Sequence, residues 1–155
     1  MSSIIKIKKG LDINLSGKAL LSAESIEPQL FAIQPTDFIG LLPRLLVHEG
    51  DSVKVGTPLF HNKHDERIQV VAPVSGTVSA ILRGPKRRLD AIVIASDGKY
   101  ESLEYNIGTL DADTIRQLLL ESGLWALIRQ RPYSIVANPD QSPKAFFISA
   151  FDSAP

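Results

Sequence analysis

His61 and His64 stand three residues apart in HNKHDER, with Asp65 and Glu66 directly behind them. Imidazole nitrogens and carboxylate oxygens are zinc ligands, and a hairpin tip could bring two histidines together. The spacing matches none of the strong metal signatures and supplies no evident third ligand, so residues 61–67 read as an exposed polar tip. Acyl-transfer chemistry finds no footing either. There is no G-x-S-x-G, and no Ser/His/Asp order falls in a strand-turn-helix setting. Dinucleotide and phosphate loops of the G-x-G-x-x-G or Walker kind are missing as well. The chain therefore carries no catalytic residue on this reading. Residues 83–88, RGPKRR, form a basic turn around Gly84-Pro85, either simply solvated or set against an acidic partner surface or lipid phosphate.

Composition narrows the classes further. The 155 residues suffice for one domain with a real core or two very small ones. Seventeen basic residues balance seventeen acidic ones, so no overall field draws the chain to nucleic acid or to an anionic membrane. With no cysteine, disulfides, thiol catalysis and cysteine-held metals are excluded. No apolar run reaches bilayer length and the start lacks a signal-peptide core, which makes a cytosolic location the simplest reading.

The elements that must position these residues centre on 47–78. Glu49-Gly50-Asp51 supplies a turn tolerant of positive φ, and Val53 and Val55 then alternate with polar neighbours as a half-buried strand does. Gly56-Thr57-Pro58 breaks that strand, and Leu59-Phe60 begins the next. Residues 68–81 give an apolar strand, a turn at 73–76 and another strand with Val78 and Ile81. Val53, Val55, Leu59, Val70, Ala72, Val78 and Ile81 are expected to share one core. Outside this module, Ile5 and Ile7 alternate with lysines as an edge strand, residues 18–27 form a loop, and 28–34 and 91–95 are apolar strands.

A change of texture follows. Residues 111–122 place Ile115, Leu118 and Leu119 at helical spacing, with Asp111 as N-cap, Asp113 in the first turn and Gly123 just past the end. Residues 124–130 read as a second short helical piece ending at Arg131-Pro132. Residues 143–151 form an apolar run of strand length, of the kind covered by helices on both faces. Little chain follows it, so the sequence reads as a piece ending where an α/β domain begins. The run is expected to pair against the helical piece 111–131, to swap onto a second copy, or to be poorly ordered, and burial of Phe146, Phe147 and Phe151 favours the first two.

The module EGDSVKVGTPLF followed by APVSGTV resembles the biotinyl/lipoyl-carrier β-sandwich. Carriers present a modifiable lysine in an Asp-Lys-Ala or Met-Lys-Met setting. Lys63 has neither neighbour pattern, so the domain reads as a carrier-like scaffold without cargo. Several segments in order extend the likeness: IKIKKGLDI, TDFIGLLPRLLVHEGDSVKVGTPLF, VVAPVSGTVSAILRGPKRRLDAIVI, SGLWALIRQRPYS and PKAFFISAFDSAP. Together they resemble the A subunit of the Na⁺-translocating NADH:quinone reductase, a longer chain. The tip at 61–67 departs from the family's usual turn, which leaves any partner contact there open.

The fold implied is α+β. A carrier-like (biotinyl/lipoyl, barrel-sandwich) β domain spans residues 1–100, and 101–155 hold a helical segment and the first strand of an α/β domain. The resemblance further implies a peripheral component on the cytoplasmic face of the bacterial inner membrane, partnered by other subunits. It implies no covalently bound cofactor, with NADH and flavins handled elsewhere, and a part in quinone interaction. A quinone ring needs an apolar slot and one or two donors, which Trp125 with Arg129 and Arg131 could supply. Phe38 and Ile39 form a second apolar candidate. Trp125 could equally pack in the core, with both arginines facing water or carboxylates. Two other readings stay open: a structural interaction module without quinone, and a carrier domain loaded at Lys63.

Overall fold

The computed structural model describes residues 20, 22–109 and 111–148. Seven strands, β1 (Leu30–Ile33), β2 (Pro43–Leu45), β3 (Ser52–Val53), β4 (Pro58–Asn62), β5 (Asp65–Val71), β6 (Gly76–Arg83) and β7 (Leu89–Ser96), make two antiparallel sheets. Their orders are β1-β7-β6-β3 and β2-β4-β5. Residues 20 and 22–28 carry no regular structure, as their polar mixture implies. The edge strand expected around Ile5 and Ile7 lies outside the described residues.

Corner chemistry explains how the sheets fold over. Gly50 sits at φ +92°, which only glycine adopts freely, and its N–H donates to the Val78 carbonyl at 2.8 Å. Val78 N–H returns a bond to Asp51 O at 2.9 Å, locking the turn to β6. One residue on, a bulge shifts the β6–β7 register between Val78 and Ala80. The Glu49 carboxylate takes the Ile81 N–H there at 2.8 Å. A side chain thus serves a donor in the strand segment where the ladder is irregular.

Between the sheets, Val53, Leu59, Phe60, Val70, Ala72, Val74, Val78, Ile92 and Ile94 are all under 5 % exposed. Five of the seven expected core residues are therefore fully inside. Ile81 packs against the cluster from its margin. Val55 does not join it. It forms a parallel bridge with Ser102, donating to Glu101 O and accepting from Leu103 N, and so turns toward the following segment.

The helix begins and ends where local chemistry places it. Asp111 Oδ1 accepts from the N–H groups of Asp113 (3.0 Å) and Thr114 (2.9 Å), capping α1 (Ala112–Glu121). Those bonds to the charged form, chiefly the Thr114 N–H, hold the Asp111 carboxyl below the usual carboxylate range. Gly123 follows at φ +75°, against Val71 of β5. Leu120 is the residue α1 buries most deeply, while Ile115 is 39 % exposed and Leu118 and Leu119 are half-buried. The helix leans on β5 through its C-terminal end.

Two expectations are corrected here. The second helical piece is a single 3-10 turn, Leu124–Leu127, and the chain is extended from Ile128. β8 (Arg129–Gln130) then pairs with β9 (Ile135–Val136) around the turn 131–134. Leu124–Leu127 is too short to satisfy its backbone as a helix, and Ala137 N–H to Ile128 O (2.9 Å) extends the hairpin instead. The apolar run after Pro143 forms no strand over 143–148. Phe146, Phe147 and Ile148 are 72–93 % exposed, so they do not pack on α1. Apolarity alone does not make a strand, because a strand needs a neighbour for its N–H and C=O groups. Residues 149–151 lie outside the described residues.

Candidate functional site

Trp125 is turned inward by the 3-10 turn, 9 % exposed, and joins the same core cluster as Leu120 and Ala126. Its indole Nε1–H donates to the Ala137 carbonyl at 2.8 Å, so the donor is committed within the chain. The bond ties the turn to the residue that follows Ile135–Val136. Arg129 projects from β8 and is exposed. Its Nη2 donates to Asp37 O at 2.8 Å and its Nη1 to Ser134 O at 3.3 Å. Arg131 is exposed in the turn beyond, next to an exposed Tyr133.

The Arg129–Asp37 bond brings together two groups that stand 92 residues apart in the chain. Asp37 closes a 3-10 turn, Pro35–Asp37, and Phe38 and Ile39 come next. Phe38 meets Phe60 edge-on, with ring centroids 6.1 Å apart and planes at 77°. Ile39 O accepts from Val136 N–H at 2.9 Å, and Ile135 lies over Gly40. The hairpin β8–β9 therefore docks along residues 37–40. Ile39 remains 48 % exposed beside it. The arrangement leaves Ile39 exposed beside the hairpin that carries Arg129, while its neighbour Phe38 packs on Phe60.

His61 does not sit on an exposed tip. It is 6 % exposed and lies within β4, next to its last residue, opposite Arg44 on one side and Gln69 on the other, with Nδ1 3.0 Å from Asn62 O. The tip is only the two-residue turn Lys63-His64, because Asn62 pairs with Asp65. The two histidines are thus separated by burial. Among the described residues, no three His, Asp or Glu side chains converge on a metal position.

Two clefts open elsewhere, and none of the five quinone candidates lines either. One, about 510 Å³, lies between β5 and α1 beside Arg67, Gln69, Gln117 and Glu121. The other, about 330 Å³, is bordered by Lys63, Arg83, Arg87 and Arg88 above Leu42 and Leu89. The RGPKRR motif pointed to part of the second. Lys63 joins it only because two hairpin tips come side by side.

At the rim of the first cleft, Arg67 grips two carboxylates. Its Nη2 lies 2.7 Å from both Asp65 Oδ2 and Asp140 Oδ2, joining β5 to the segment after β9. The Arg67 hydrogen bonds hold both Asp65 and Asp140 below the usual carboxylate range. A depressed carboxyl pKa contributes stability above the unfolded value of about 3.9, and that contribution is lost as pH falls through the lower folded value. Arg67→Met should accordingly lower the melting temperature modestly at neutral pH, since the pairs are exposed. Wild type and variant should converge in acid, once pH has fallen through the lowered folded values of Asp65 and Asp140. A gap that stays constant from neutral to acid pH would mean the carboxylates contribute nothing.

Ser75 Oγ donates to Asp97 Oδ1 at 2.6 Å and accepts from Glu101 N–H at 3.1 Å. This pair binds the strand-β6 entry to the turn after β7.

With this geometry in place, the chain can be set beside known proteins. A family model described as the NqrA N-terminal barrel-sandwich hybrid domain matches residues 5–97. A second, described as the NqrA second alpha/beta domain, matches residues 110–155. Among curated relatives, the A subunit of the Na(+)-translocating NADH-quinone reductase of Pseudomonas aeruginosa is 41% identical over 159 residues, covering 98% of this chain and 36% of the relative. The same-named proteins of Haemophilus influenzae and Serratia proteamaculans are each 37% identical, covering 98% of this chain and 35% and 36% of theirs. The chain spans about a third of the length of the curated relatives it matches.

Proposed function

The chain belongs to the NqrA family, the A subunit of the Na(+)-translocating NADH-quinone reductase, and from that membership we propose that it serves in such a complex as an assembly and quinone-contacting part. Its N-terminal region is a barrel-sandwich hybrid of the biotinyl/lipoyl-like kind. On the proposed reading it docks other subunits from the cytoplasmic face of the bacterial inner membrane. No helix among the described residues is long and apolar enough to cross a membrane. NADH oxidation and flavin chemistry belong to other subunits, and this chain alone performs no redox step. Residues 1–100 and 101–155 are its two units, the second beginning an α/β domain.

The quinone part of the proposal rests on one observation: Arg129 bonds the backbone of Asp37 and places Ile39 beside the β8–β9 hairpin. A flat ring would lie on Ile39, over the Phe38–Phe60 pair, with Arg129 and Arg131 N–H groups reaching its carbonyls. Trp125 does not stack on the ring, because it is buried with its N–H committed to the Ala137 carbonyl. As the chain's single tryptophan, it also reports on the site. Titration with a short-chain quinone should quench its fluorescence saturably. Ile39→Asn should weaken that binding about fivefold or more while leaving the melting temperature near wild type. Non-saturable quenching, or equal binding by Ile39→Asn and Arg131→Ala variants, would leave a structural interaction module as the better description.

Lys63 keeps the carrier reading in view, since it occupies a two-residue hairpin tip. A lipoyl or biotinyl adduct in the intact mass would establish it; an unmodified mass after expression with the ligases would dismiss it. Self-association belongs to the same proposal, with Phe146 and Phe147 exposed and free to meet a second copy.

A further inference from the structure

The chain has no net charge, yet one end of the sandwich gathers cations. Lys63, from the β4–β5 tip, borders a cleft of about 330 Å³ together with Arg83, Arg87 and Arg88 of the β6–β7 tip. Lys86 is exposed in the same turn. Arg88 pairs with Asp90 at 2.7 Å. Lys63, Arg83, Lys86 and Arg87 have no carboxylate within ion-pair distance among the described residues. Apolar groups stand among these charges. Leu42 lines the cleft at 52 % exposed, and Leu82, next to Arg83, is 51 % exposed. Cations surrounding protruding leucines are what an interface between water, phosphate and acyl chain selects.

We propose that this end of the sandwich is a docking face for an anionic phospholipid surface, with the cleft-side arginines and Lys63 on the lipid phosphates and Leu42 and Leu82 at the acyl boundary. The proposal does not depend on the quinone reading.

Two alternatives fit the same surface less well. An acidic peptide in extended form would gain most by adding a strand to the open edge of β2. In the β2–β4 register, Lys63 N–H bonds Leu42 O and Leu46 N–H bonds Leu59 O, so Leu42, Arg44 and Leu46 face β4. The outward positions are then Pro43 and Leu45, and Pro43 has no N–H to offer. A free phosphate would find only exposed cations, with no buried polar side chain aimed into the cleft, and would stay in water. A lipid surface presents many phosphates at once and accepts the leucines, so weak contacts add.

The test is sedimentation of the full chain with phosphatidylcholine vesicles, with and without phosphatidylglycerol, at low and raised salt. Binding is expected only with phosphatidylglycerol, falling as salt rises. The double variant Arg83→Glu/Arg87→Glu should lose about tenfold or more in partitioning, and Leu42→Ser several-fold with the salt dependence retained. Lys99→Glu lies past the far end of β7, roughly 25 Å away at strand rise, and should change partitioning less than about twofold. If circular dichroism shows that the double reversal fails to fold, Lys63→Gln/Arg87→Gln takes its place, with a smaller loss expected. Absence of binding to phosphatidylglycerol vesicles overturns the proposal, as does an equal loss from Lys99→Glu. So does binding of a soluble poly-glutamate peptide or glycerol phosphate by a chain that ignores vesicles.

Discussion

Replacing Val78 with Asp is expected to leave the chain largely unfolded at neutral pH. Val78 is 1 % exposed in β6, opposite Ile94, and the polar side chains buried with it in the described core are Ser75 and His61. A carboxylate there loses its water without gaining a cation, at several kcal/mol. A domain of this size has roughly 5–15 kcal/mol in hand, so the change removes much of its stability. Burial favours the neutral acid and raises the carboxyl pKa in the folded state. A raised folded pKa makes the penalty largest above that value and removes it as pH falls toward the unfolded value of about 3.9. Val78→Asp should therefore recover relative to wild type in mild acid. Thermal melts by circular dichroism across pH would check both parts. An unchanged melting temperature at neutral pH would mean that Val78 does not face the core.

Gly76→Ala is expected to be nearly as damaging, although it adds a single methyl. Gly76 opens β6 at φ +153°, a region that side-chain-bearing residues rarely enter, and a Cβ there would overlap the Ala95 carbonyl of β7. The obstacle is backbone, held by the β6–β7 ladder, so it cannot swing aside as a flexible side chain could. Backbone strain and overpacking together should amount to about 3 kcal/mol or more. Gly50→Ala is the informative comparison. Gly50 also has positive φ, but a Cβ there meets nothing within 4 Å, so only the strain contributes. Urea unfolding of the two variants should rank Gly76→Ala well below Gly50→Ala. Equal midpoints would mean that strand β7 yields, and that the close approach is not rigid.

The sequence by itself determined the features that depend on a few neighbouring residues. Gly50 needed only its own freedom at positive φ to mark a corner. Asp111 and Gly123 needed only the orphan groups of one short helix to mark its ends. Alternation marked Val53 as facing inward, because strand geometry puts successive side chains on opposite sides, but it failed at Val55, which turns toward Ser102 instead. The order of the turn motifs also carried the family, since those motifs encode the same corners wherever the fold recurs.

The tertiary structure decided everything that depends on which distant segment arrives alongside. His61 lies in a polar stretch but is buried, because β4 is flanked by β2 and β5 and both of its faces are covered along 59–61. Residues 143–148 are apolar yet form no strand, and among the described residues they pair with no strand of either sheet. Arg129 reaches Asp37 only once β8–β9 folds back along 37–40, and Lys63 meets Arg83, Arg87 and Arg88 only where two hairpin tips adjoin. Local preference acts over about one turn of helix or one reverse turn of chain. Pairing, burial and the gathering of charge are settled by contacts between segments tens of residues apart, and no pattern within either segment encodes them.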